Sequence, residues 1–170
     1  YGYLLLSTSN KTELALGYST LYGDMSGALS PIGDLNKSEI YGLAEWINSN
    51  KFYNNDNKII IPENSIKKKP SAELKEDQVD PFDYNKISYP IDKIILDNGS
   101  RDSINLHDIS IQDVIDFQKT IFHTEFKRNQ YNIILKLSDK SFGSGRRFPI
   151  SANYDEFMDL INKPKILKKT

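Results

Sequence analysis

A polar segment near the start of this sequence has residue types that could bind a metal ion beside a phosphate. Ser7 to Asn10 follows a short apolar run, and Glu13 falls on the first turn of a predicted helix. Mg²⁺ prefers one or two carboxylates together with substrate oxygens, so Glu13 could hold Mg²⁺ against a polyphosphate. Glu13 could instead only complement the helix dipole, which is the commoner role for an acidic residue at this position. Residue chemistry leaves both roles open.

Lysines supply the second possible phosphate contact. Lys37 begins another predicted helix directly after a loop, where its ammonium and the free backbone N–H groups could meet one polyphosphate. The basic run from Lys67 to Ser71 could also contact an anion. A solvated surface position is the ordinary alternative for each of these lysines. His107 and His123 have no partner at metal-ligand spacing, and we assign neither a role.

One predicted strand–turn–helix unit would position the first polar segment. Gly2 to Leu6 is a short apolar run typical of a buried parallel strand. Apolar residues then recur at spacings of three and four, which predicts a helix over Lys11 to Tyr22. In open parallel sheets, ligands bind at the carboxyl ends of strands, where Ser7 to Asn10 lies. The pattern therefore predicts an α/β domain with a ligand site at this strand end.

Capping residues predict three more helices. Asn36 and Glu39 form a predicted capping box for a helix over Lys37 to Asn48. Pro62 suits the first turn of a short helix that ends at Lys68. Ser110 is the predicted cap of a longer amphipathic helix.

The remaining segments have weaker signals. We predict loops over 23–35 and 49–57, which are rich in small and polar residues. Acidic residues and two prolines interrupt Lys75 to Asp97, and its pattern predicts no definite element. The tail has a weak helical repeat of apolar residues through Tyr154, Phe157, Met158 and Ile161.

Composition excludes several classes of protein and of site. The 170 residues carry 22 basic and 23 acidic side chains, a net charge of −1, whereas nucleic-acid binders usually show a basic excess. The absence of cysteine excludes disulfides, thiolate metal sites and a cysteine nucleophile. The apolar run Leu4 to Leu6 is too short for a membrane span. We expect one compact domain in a cytoplasmic protein.

Four blocks of the sequence resemble the NAD synthetase family and occur in that family's order. They are STSNKTELALGYSTLYGDMSGALSPIGDLNKSEIYGLA (7–44), IPENSIKKKPSAELKEDQVD (61–80), EFKRNQY (125–131) and SFGSGRRFPI (141–150). The resemblance implies the parallel-sheet, adenine-nucleotide α-hydrolase-like fold of ATP pyrophosphatases. It also implies amidation of deamido-NAD to NAD, in which ATP adenylates the nicotinate carboxylate, pyrophosphate leaves, and ammonia then displaces AMP.

The same resemblance implies roles for eight residues of this sequence. Those that correspond to ATP contacts are Thr8, Lys37 and Ser71. Those that correspond to contacts of deamido-NAD are Glu13, Tyr18, Leu21 and Lys127. Glu13 also corresponds to a Mg²⁺ ligand, while Lys37 and Asp24 correspond to catalytic positions near the phosphates and the ammonia.

Departures from the small ammonia-dependent enzymes favour the glutamine-dependent branch of the family. Leu21 and Ala28 stand where those enzymes have a lysine and an aspartate, and Phe126 to Arg128 replaces a His-Lys pair. The glutamine-dependent branch has a nitrilase-type glutaminase domain with a catalytic cysteine, which this cysteine-free chain cannot be. The expected partners are deamido-NAD, ATP, ammonia or glutamine, a glutaminase domain of the same polypeptide and a second copy of the protein.

The family's Ser-Gly-Gly-x-Asp-Ser phosphate loop precedes these blocks and is not among the 170 residues. We therefore expect residues 1–170 to be the carboxyl-terminal part of a synthetase domain and to be inactive alone. Two alternatives stay open. The chain could be a non-catalytic remnant that binds a partner, or an ATP pyrophosphatase that activates another carboxylate or carbonyl. The Lys-Pro-Ser-Ala-Glu-Leu stretch weighs against the last possibility.

Overall fold

The structure is a computed structural model that describes residues 1–50, 58–96 and 109–156. The helices in these ranges are α1 (Lys11–Leu16), α2 (Lys37–Ser49), α3 (Glu63–Lys67), α4 (Tyr84–Leu96), α5 (Ile111–His123) and α6 (Glu125–Arg128). The strands are β1 (Leu29–Ser30) and β2 (Ile133–Ile134). No helix in the described ranges has both the length and the apolar character needed to cross a membrane.

The sheet is parallel, as predicted. The apolar run from Gly2 to Leu6, however, is not the buried strand that its composition indicates. β1 pairs with β2, and on its other edge Leu29 forms a single bridge with Leu6. Leu4 and Leu5 are 62% and 64% exposed, so the predicted buried strand over Gly2 to Leu6 is wrong. An apolar run indicates burial only when other elements cover both of its faces. The predicted loop over 23–35 also contains β1.

Helix α1 begins where predicted and ends six residues earlier than predicted. Asn10 caps it, but Gly17 takes a left-handed conformation (φ 62°) and its N–H donates to the carbonyls of Glu13 and Leu14. A Cβ at Gly17 would lie 2.5 Å from Cγ2 of Thr124, so only glycine fits there. The predicted helix over Lys11 to Tyr22 therefore stops at Leu16, and the chain turns away toward Tyr18.

The three helices with predicted caps are present. The capping box of Asn36 and Glu39 is formed at the start of α2, and Ser110 caps α5 with Asp113 as its partner. Pro62 is the residue before α3 rather than its first residue. Of the predicted loop over 49–57, the structure describes only Ser49 and Asn50, which lie at the end of α2. His107 and the tail residues Phe157, Met158 and Ile161 are outside the described residues.

Helix α4 supplies much of the core, although the sequence pattern predicts no definite element there. Its buried residues are Tyr84, Ile87, Ser88, Pro90, Ile91, Ile94 and Ile95. The isoleucines recur at helical spacing and pack with Leu14 and Ala15 of α1 and with Val114 and Ile121 of α5. Pro90 inside the helix hides this pattern, because proline removes a backbone donor and usually breaks a helix. The tertiary packing outweighs that preference.

A buried group of charges joins the starts of α1 and α2 to α4. The ammonium of Lys11, which is 3% exposed, lies 3.2 Å from carboxylate oxygens of both Asp34 and Asp92. Asp34 also accepts hydrogen bonds from the backbone N–H groups of Leu137 and Ser138 at 2.7 and 2.6 Å. Burial raises the pKa of Asp34, but these hydrogen bonds and the charge of Lys11 outweigh it and hold the pKa below its usual value.

A second buried cation, Arg128, holds the ends of α1 and α5 together. Its guanidinium donates to the carbonyls of Leu14, Ala15 and Ile121 and pairs with Glu125 at 3.0 Å. Burial lowers the pKa of Arg128 to about 10, against the opposing charge of Glu125, so the guanidinium stays protonated at neutral pH. The carbonyls at a helix end have no partner within the helix, and Arg128 supplies one.

We expect Asp34→Asn to destabilise the protein by about 3 kcal/mol at pH 7, because Lys11 would lose a buried counter-charge. The pKa of Asp34 is lowered on folding, so its charge contributes stability above the unfolded value of 3.8, and this contribution is lost as the pH falls through the lower folded pKa. Urea unfolding between about pH 5 and about pH 2 should therefore show a smaller acid loss in the variant than in the wild type.

The matched control is Glu63→Gln, which removes an exposed carboxylate that pairs with Lys67. Exposed pairs contribute little, so this variant should unfold like the wild type. An Asp34→Asn protein with wild-type stability and wild-type acid sensitivity would show that the buried charge pair is not needed.

We expect Arg128→Lys to cost about 3 kcal/mol or more, because a lysine cannot donate in several fixed directions and would leave buried carbonyls unpaired. Chemical denaturation measures the free energy of unfolding. Arg147→Lys, at an exposed arginine, is the control and should change stability by less than about 0.5 kcal/mol. Equal stability losses in the two variants would contradict the role of Arg128.

Candidate functional site

Six of the eight residues with predicted roles line one cleft of about 220 Å³. The cleft lies where the start of α1, the start of α2 and the segment that leads into α4 come together. The six residues are Thr8, Glu13, Tyr18, Asp24, Lys37 and Ser71. Residues that are far apart in the sequence, from Thr8 to Ser71, thus meet in one place, which is the basic requirement for a binding site.

Two helix starts of the same local sequence position the charged residues of the cleft. Both helices begin with the pattern Asn-Lys-x-Glu, in which the asparagine caps the helix and the glutamate completes a capping box. The first copy places Glu13 at the cleft and buries its lysine, Lys11. The second copy instead places its lysine, Lys37, at the cleft.

Glu13 and Lys37 form the central ion pair of the cleft. The Lys37 ammonium lies 3.2 Å from Oε1 of Glu13, and the side chains are 22% and 18% exposed. The other oxygen of Glu13, Oε2, accepts a hydrogen bond from the backbone N–H of Asn10 at 3.0 Å. Glu13 therefore does stabilise the start of α1, and it also presents charge to the cleft. The two roles considered for this residue are compatible.

Asp24 and Ser71 lie near this ion pair, on loops whose positions are held by hydrogen bonds. A carboxylate oxygen of Asp24 accepts from the backbone N–H of Thr20, and the Asp24 carbonyl accepts from the Ser7 hydroxyl at 2.9 Å. The Ser71 hydroxyl oxygen accepts from the backbone N–H of Glu73 at 3.1 Å. Thr8 is exposed. Hydroxyl groups and charges of both signs are therefore available to a polar ligand.

An aromatic and acidic cluster lies at the cleft. Tyr18 and Asp80 line the cleft, and Phe82 and Tyr84, which no sequence signal identified, contact them from behind. The Tyr84 hydroxyl donates to Oδ2 of Asp80 at 2.8 Å, and the Lys37 ammonium lies 5.4 Å from the centre of the Tyr84 ring. Tyr18 packs edge-on against Phe82 with ring centres 5.2 Å apart. Asp80 ends the second family block, but Tyr84 begins the helix that the prolines obscured.

Burial raises the pKa of both tyrosines. For Tyr84 the largest cause is burial, followed by its hydrogen bond to Asp80 and by the negative charges of Glu13 and Asp80. For Tyr18 burial is again first, and the interaction with Asp80 adds to it. Both phenols therefore stay protonated at neutral pH and can act as hydrogen-bond donors.

Two of the eight residues lie outside the cleft. Leu21 lines a separate cavity of about 240 Å³, together with Gly27 and Asn132. The Lys127 ammonium donates to the backbone carbonyls of Gly17 and Ser19 at 2.7 and 2.8 Å, so it stabilises the turn after α1. Contacts of these two residues with deamido-NAD stay predictions.

The block SFGSGRRFPI has a structural part in the described fold. Arg146 donates to the carbonyl of Ile94, and neighbouring Lys140 donates to the carbonyl of Leu96, both near the end of α4. Phe142 is 2% exposed in the core and lies under the Arg128 guanidinium, 4.7 Å from ring centre to cation. The block therefore anchors the helix that carries Tyr84.

Comparison with known proteins identifies relatives over most of the chain. A family model described as NAD synthase matches residues 1–131. The glutamine-dependent NAD(+) synthetase of Synechocystis is 38% identical over 154 residues, which are 89% of this chain and 26% of that protein. The NH(3)-dependent NAD(+) synthetase of Chlorobaculum parvum is 34% identical over 151 residues, 86% of this chain and 50% of that protein.

A solved structure has the same fold. The crystal structure of a glutamine-dependent NAD(+) synthetase from Cytophaga hutchinsonii aligns with a TM-score of 0.62 at 18% identity, over 94% of this chain and 26% of that one. This confirms the α/β, adenine-nucleotide α-hydrolase-like fold with a parallel sheet. The chain spans about a quarter of the length of the glutamine-dependent relatives that it matches. The extent of the family match and the order of its blocks show that the chain belongs to the NAD synthase family.

Proposed function

We propose that residues 1–170 form the carboxyl-terminal part of a synthetase domain that amidates deamido-NAD to NAD. ATP transfers its adenylyl group to the nicotinate carboxylate, which forms a mixed anhydride and releases pyrophosphate. Ammonia then attacks the activated carbonyl, and AMP leaves. The convergence of Thr8, Glu13, Lys37 and Ser71 in one cleft is the observation that supports this proposal best.

Lys37 and Ser71 are suited to a polyphosphate. Lys37 is the first residue of α2, a helix of 13 residues whose first N–H groups have no partners within the helix. An ammonium and such N–H groups together attract phosphate oxygens. In adenylation, negative charge builds up on the pyrophosphate leaving group, so a cation that touches it lowers the barrier. Ser71 on the opposite segment would hold the same phosphates by a hydrogen bond.

The residues of the cleft fit Mg²⁺ in the way that this ion usually binds with nucleotides. No three His, Asp or Glu side chains converge in the part of the chain that the structure describes. Mg²⁺ requires only one or two carboxylates when phosphate oxygens complete its shell, and Glu13 presents one at the cleft. Bound there, Mg²⁺ would neutralise phosphate charge. Glu13 would then exchange part of its contact with Lys37 for the metal.

Exposed apolar residues at the sheet edge support the proposal that other elements of a larger domain cover this region. Leu4, Leu5 and Leu6 on one side and Ile133 and Leu137 on the other are 48–70% exposed. Parallel sheets are normally covered on both faces. Further strands and helices of a longer polypeptide would bury these side chains and add the missing phosphate loop.

The proposed source of ammonia is glutamine. The resemblance at Leu21, Ala28 and Phe126 to Arg128 favours the glutamine-dependent branch, and several relatives carry that name. The described chain has no cysteine, so the glutaminase chemistry would belong to another domain of the polypeptide. A homo-oligomer in the cytoplasm, with Asp24 near the incoming ammonia, completes the proposal.

In the full-length polypeptide, we expect Glu13→Gln to reduce NAD formation from deamido-NAD, ATP and ammonia by about 10²- to 10³-fold, because a neutral amide is a poor Mg²⁺ ligand. Glu39→Gln is the matched control. Glu39 has the same position in the same capping box of α2, but it does not line the cleft. Equal losses in the two variants would mean that Glu13 acts only as a helix cap.

Lys37→Ala and Lys127→Ala should affect the use of different substrates. We expect Lys37→Ala to impair adenylation strongly and Lys127→Ala to raise the KM for deamido-NAD while the KM for ATP stays nearly unchanged. Steady-state kinetics with each substrate varied in turn gives the comparison. The same kinetic pattern in both variants would refute the separation.

The wild-type assay also distinguishes the alternatives. If the chain is a non-catalytic remnant, the full-length polypeptide will form no NAD. If it activates another carboxylate, the full-length polypeptide will release pyrophosphate from ATP only when that other carboxylate is supplied in place of deamido-NAD.

A further inference from the structure

We infer that Tyr84 is a positioning residue of this site, with two functions. Its ring sets the position of the Lys37 ammonium, and its hydroxyl holds the segment that carries Ser71, through Asp80. The inference rests on the proposed function, since it explains how Lys37 and Ser71, the two proposed phosphate contacts, are held in position. Tyr84 itself is 5% exposed and is not proposed to touch the substrate.

The ring acts on Lys37. A lysine has a long, flexible side chain, so a site that needs its ammonium at one point must restrict it. Here the ammonium has two contacts, Oε1 of Glu13 at 3.2 Å and the Tyr84 ring at 5.4 Å from its centre. A cation within about 6 Å of a ring centre is attracted by the negative face of the ring. If Glu13 turned to a metal ion, the ring would remain as a fixed contact.

The hydroxyl acts on the segment from Pro70 to Asp80. It donates to Oδ2 of Asp80 at 2.8 Å, and both side chains are buried. The backbone N–H of Asp80 in turn donates to the carbonyl of Pro70 at 2.9 Å, which brings the two ends of the segment together. Ser71 follows Pro70 directly. The hydroxyl of Tyr84 therefore determines where Ser71 stands relative to Lys37.

Helix α4 is a rigid support for both contacts. Behind Tyr84, the side chains of Ile87, Ile91 and Ile94 are no more than 7% exposed in the core. About two turns beyond Tyr84, Asp92 accepts a hydrogen bond from the side chain of Asn36 at 2.6 Å, and Asn36 is the cap of α2. The same helix thus contacts the start of α2 at two points, at the cap through Asp92 and at Lys37 through Tyr84.

Two substitutions of Tyr84 separate the functions. Tyr84→Phe keeps the ring and removes the hydroxyl, whereas Tyr84→Leu removes both. In the full-length polypeptide we expect Tyr84→Phe to raise the KM for ATP about tenfold, the effect of one lost hydrogen bond to a charged group, with little change in kcat. Tyr84→Leu should in addition lower kcat by about tenfold, because Lys37 loses its second contact. The KM for deamido-NAD should stay unchanged in both.

Tyr89→Phe is the matched control. Tyr89 lies on the same helix, is 51% exposed, and has the Lys93 ammonium 5.7 Å from its ring centre, so the local chemistry is the same away from the cleft. This variant should behave like the wild type. Asp80→Ala removes the other partner of the hydrogen bond and should raise the KM for ATP as Tyr84→Phe does. The double variant should raise the KM for ATP no further than Asp80→Ala alone, because both substitutions remove the contact that acts on Ser71.

Amide hydrogen exchange gives a readout that does not depend on activity. In Tyr84→Phe, the backbone amide of Asp80 and its neighbours back to Ser71 should exchange about tenfold faster, while amides of α5 keep their wild-type rates. Unchanged exchange in this segment, or faster exchange without a change in the KM for ATP, would overturn the positioning role.

Failure of the proposed function has a different signature. If Lys37→Ala and Ser71→Ala leave the KM for ATP unchanged, the phosphate roles are wrong. If those variants do impair ATP use and the Tyr84 variants do not, only the inference about Tyr84 is wrong.

Discussion

The buried pair of Lys11 and Asp34 is the contact on which the site depends. It links the first turn of α1 to the loop before α2, and Asp34 extends the link to the backbone after β2 through Leu137 and Ser138. A buried ion pair contributes little net stability compared with apolar packing, but removing one partner leaves an uncompensated charge. Such a pair therefore selects one arrangement of the elements. Here that arrangement sets Glu13 beside Lys37.

Local signals determined the parts of the fold that local chemistry controls. The asparagine and serine caps before α2 and α5 have side chains that bond to the next turn of their own helix, so Asn36 and Ser110 could be identified from the sequence. The end of α1 could not, because the glycine that stops it is required by the contact with Thr124, a residue between α5 and α6 that is distant in the sequence. Helix α4 was missed for the same kind of reason, since packing of its isoleucines outweighs the proline.

The candidate site residues show the same division. The family blocks predicted site roles for Thr8, Glu13, Lys37 and Ser71, and the structure brings all four to one cleft. The local pattern did not distinguish Lys11 from Lys37, which occupy the same position in the same four-residue pattern, and only the family resemblance assigned a role to Lys37. No sequence signal indicated that Lys11 and Arg128 are buried. Which of two similar side chains faces a cleft is decided by the surrounding elements. That information is absent from any short window of sequence.

The contact between Gly17 and Thr124 limits how this chain can change over evolutionary time. A Cβ at residue 17 would lie 2.5 Å from the methyl carbon and 2.7 Å from the Cβ of Thr124, so only glycine at 124 would make room for it. The threonine hydroxyl, however, shares its one proton between the carbonyls of Ala15 and Thr120 and accepts from Arg128. A glycine at 124 would thus leave the ends of two helices less well satisfied. A substitution of Gly17 alone is therefore not accommodated, and we expect residues 17 and 124 either to change together or to remain fixed.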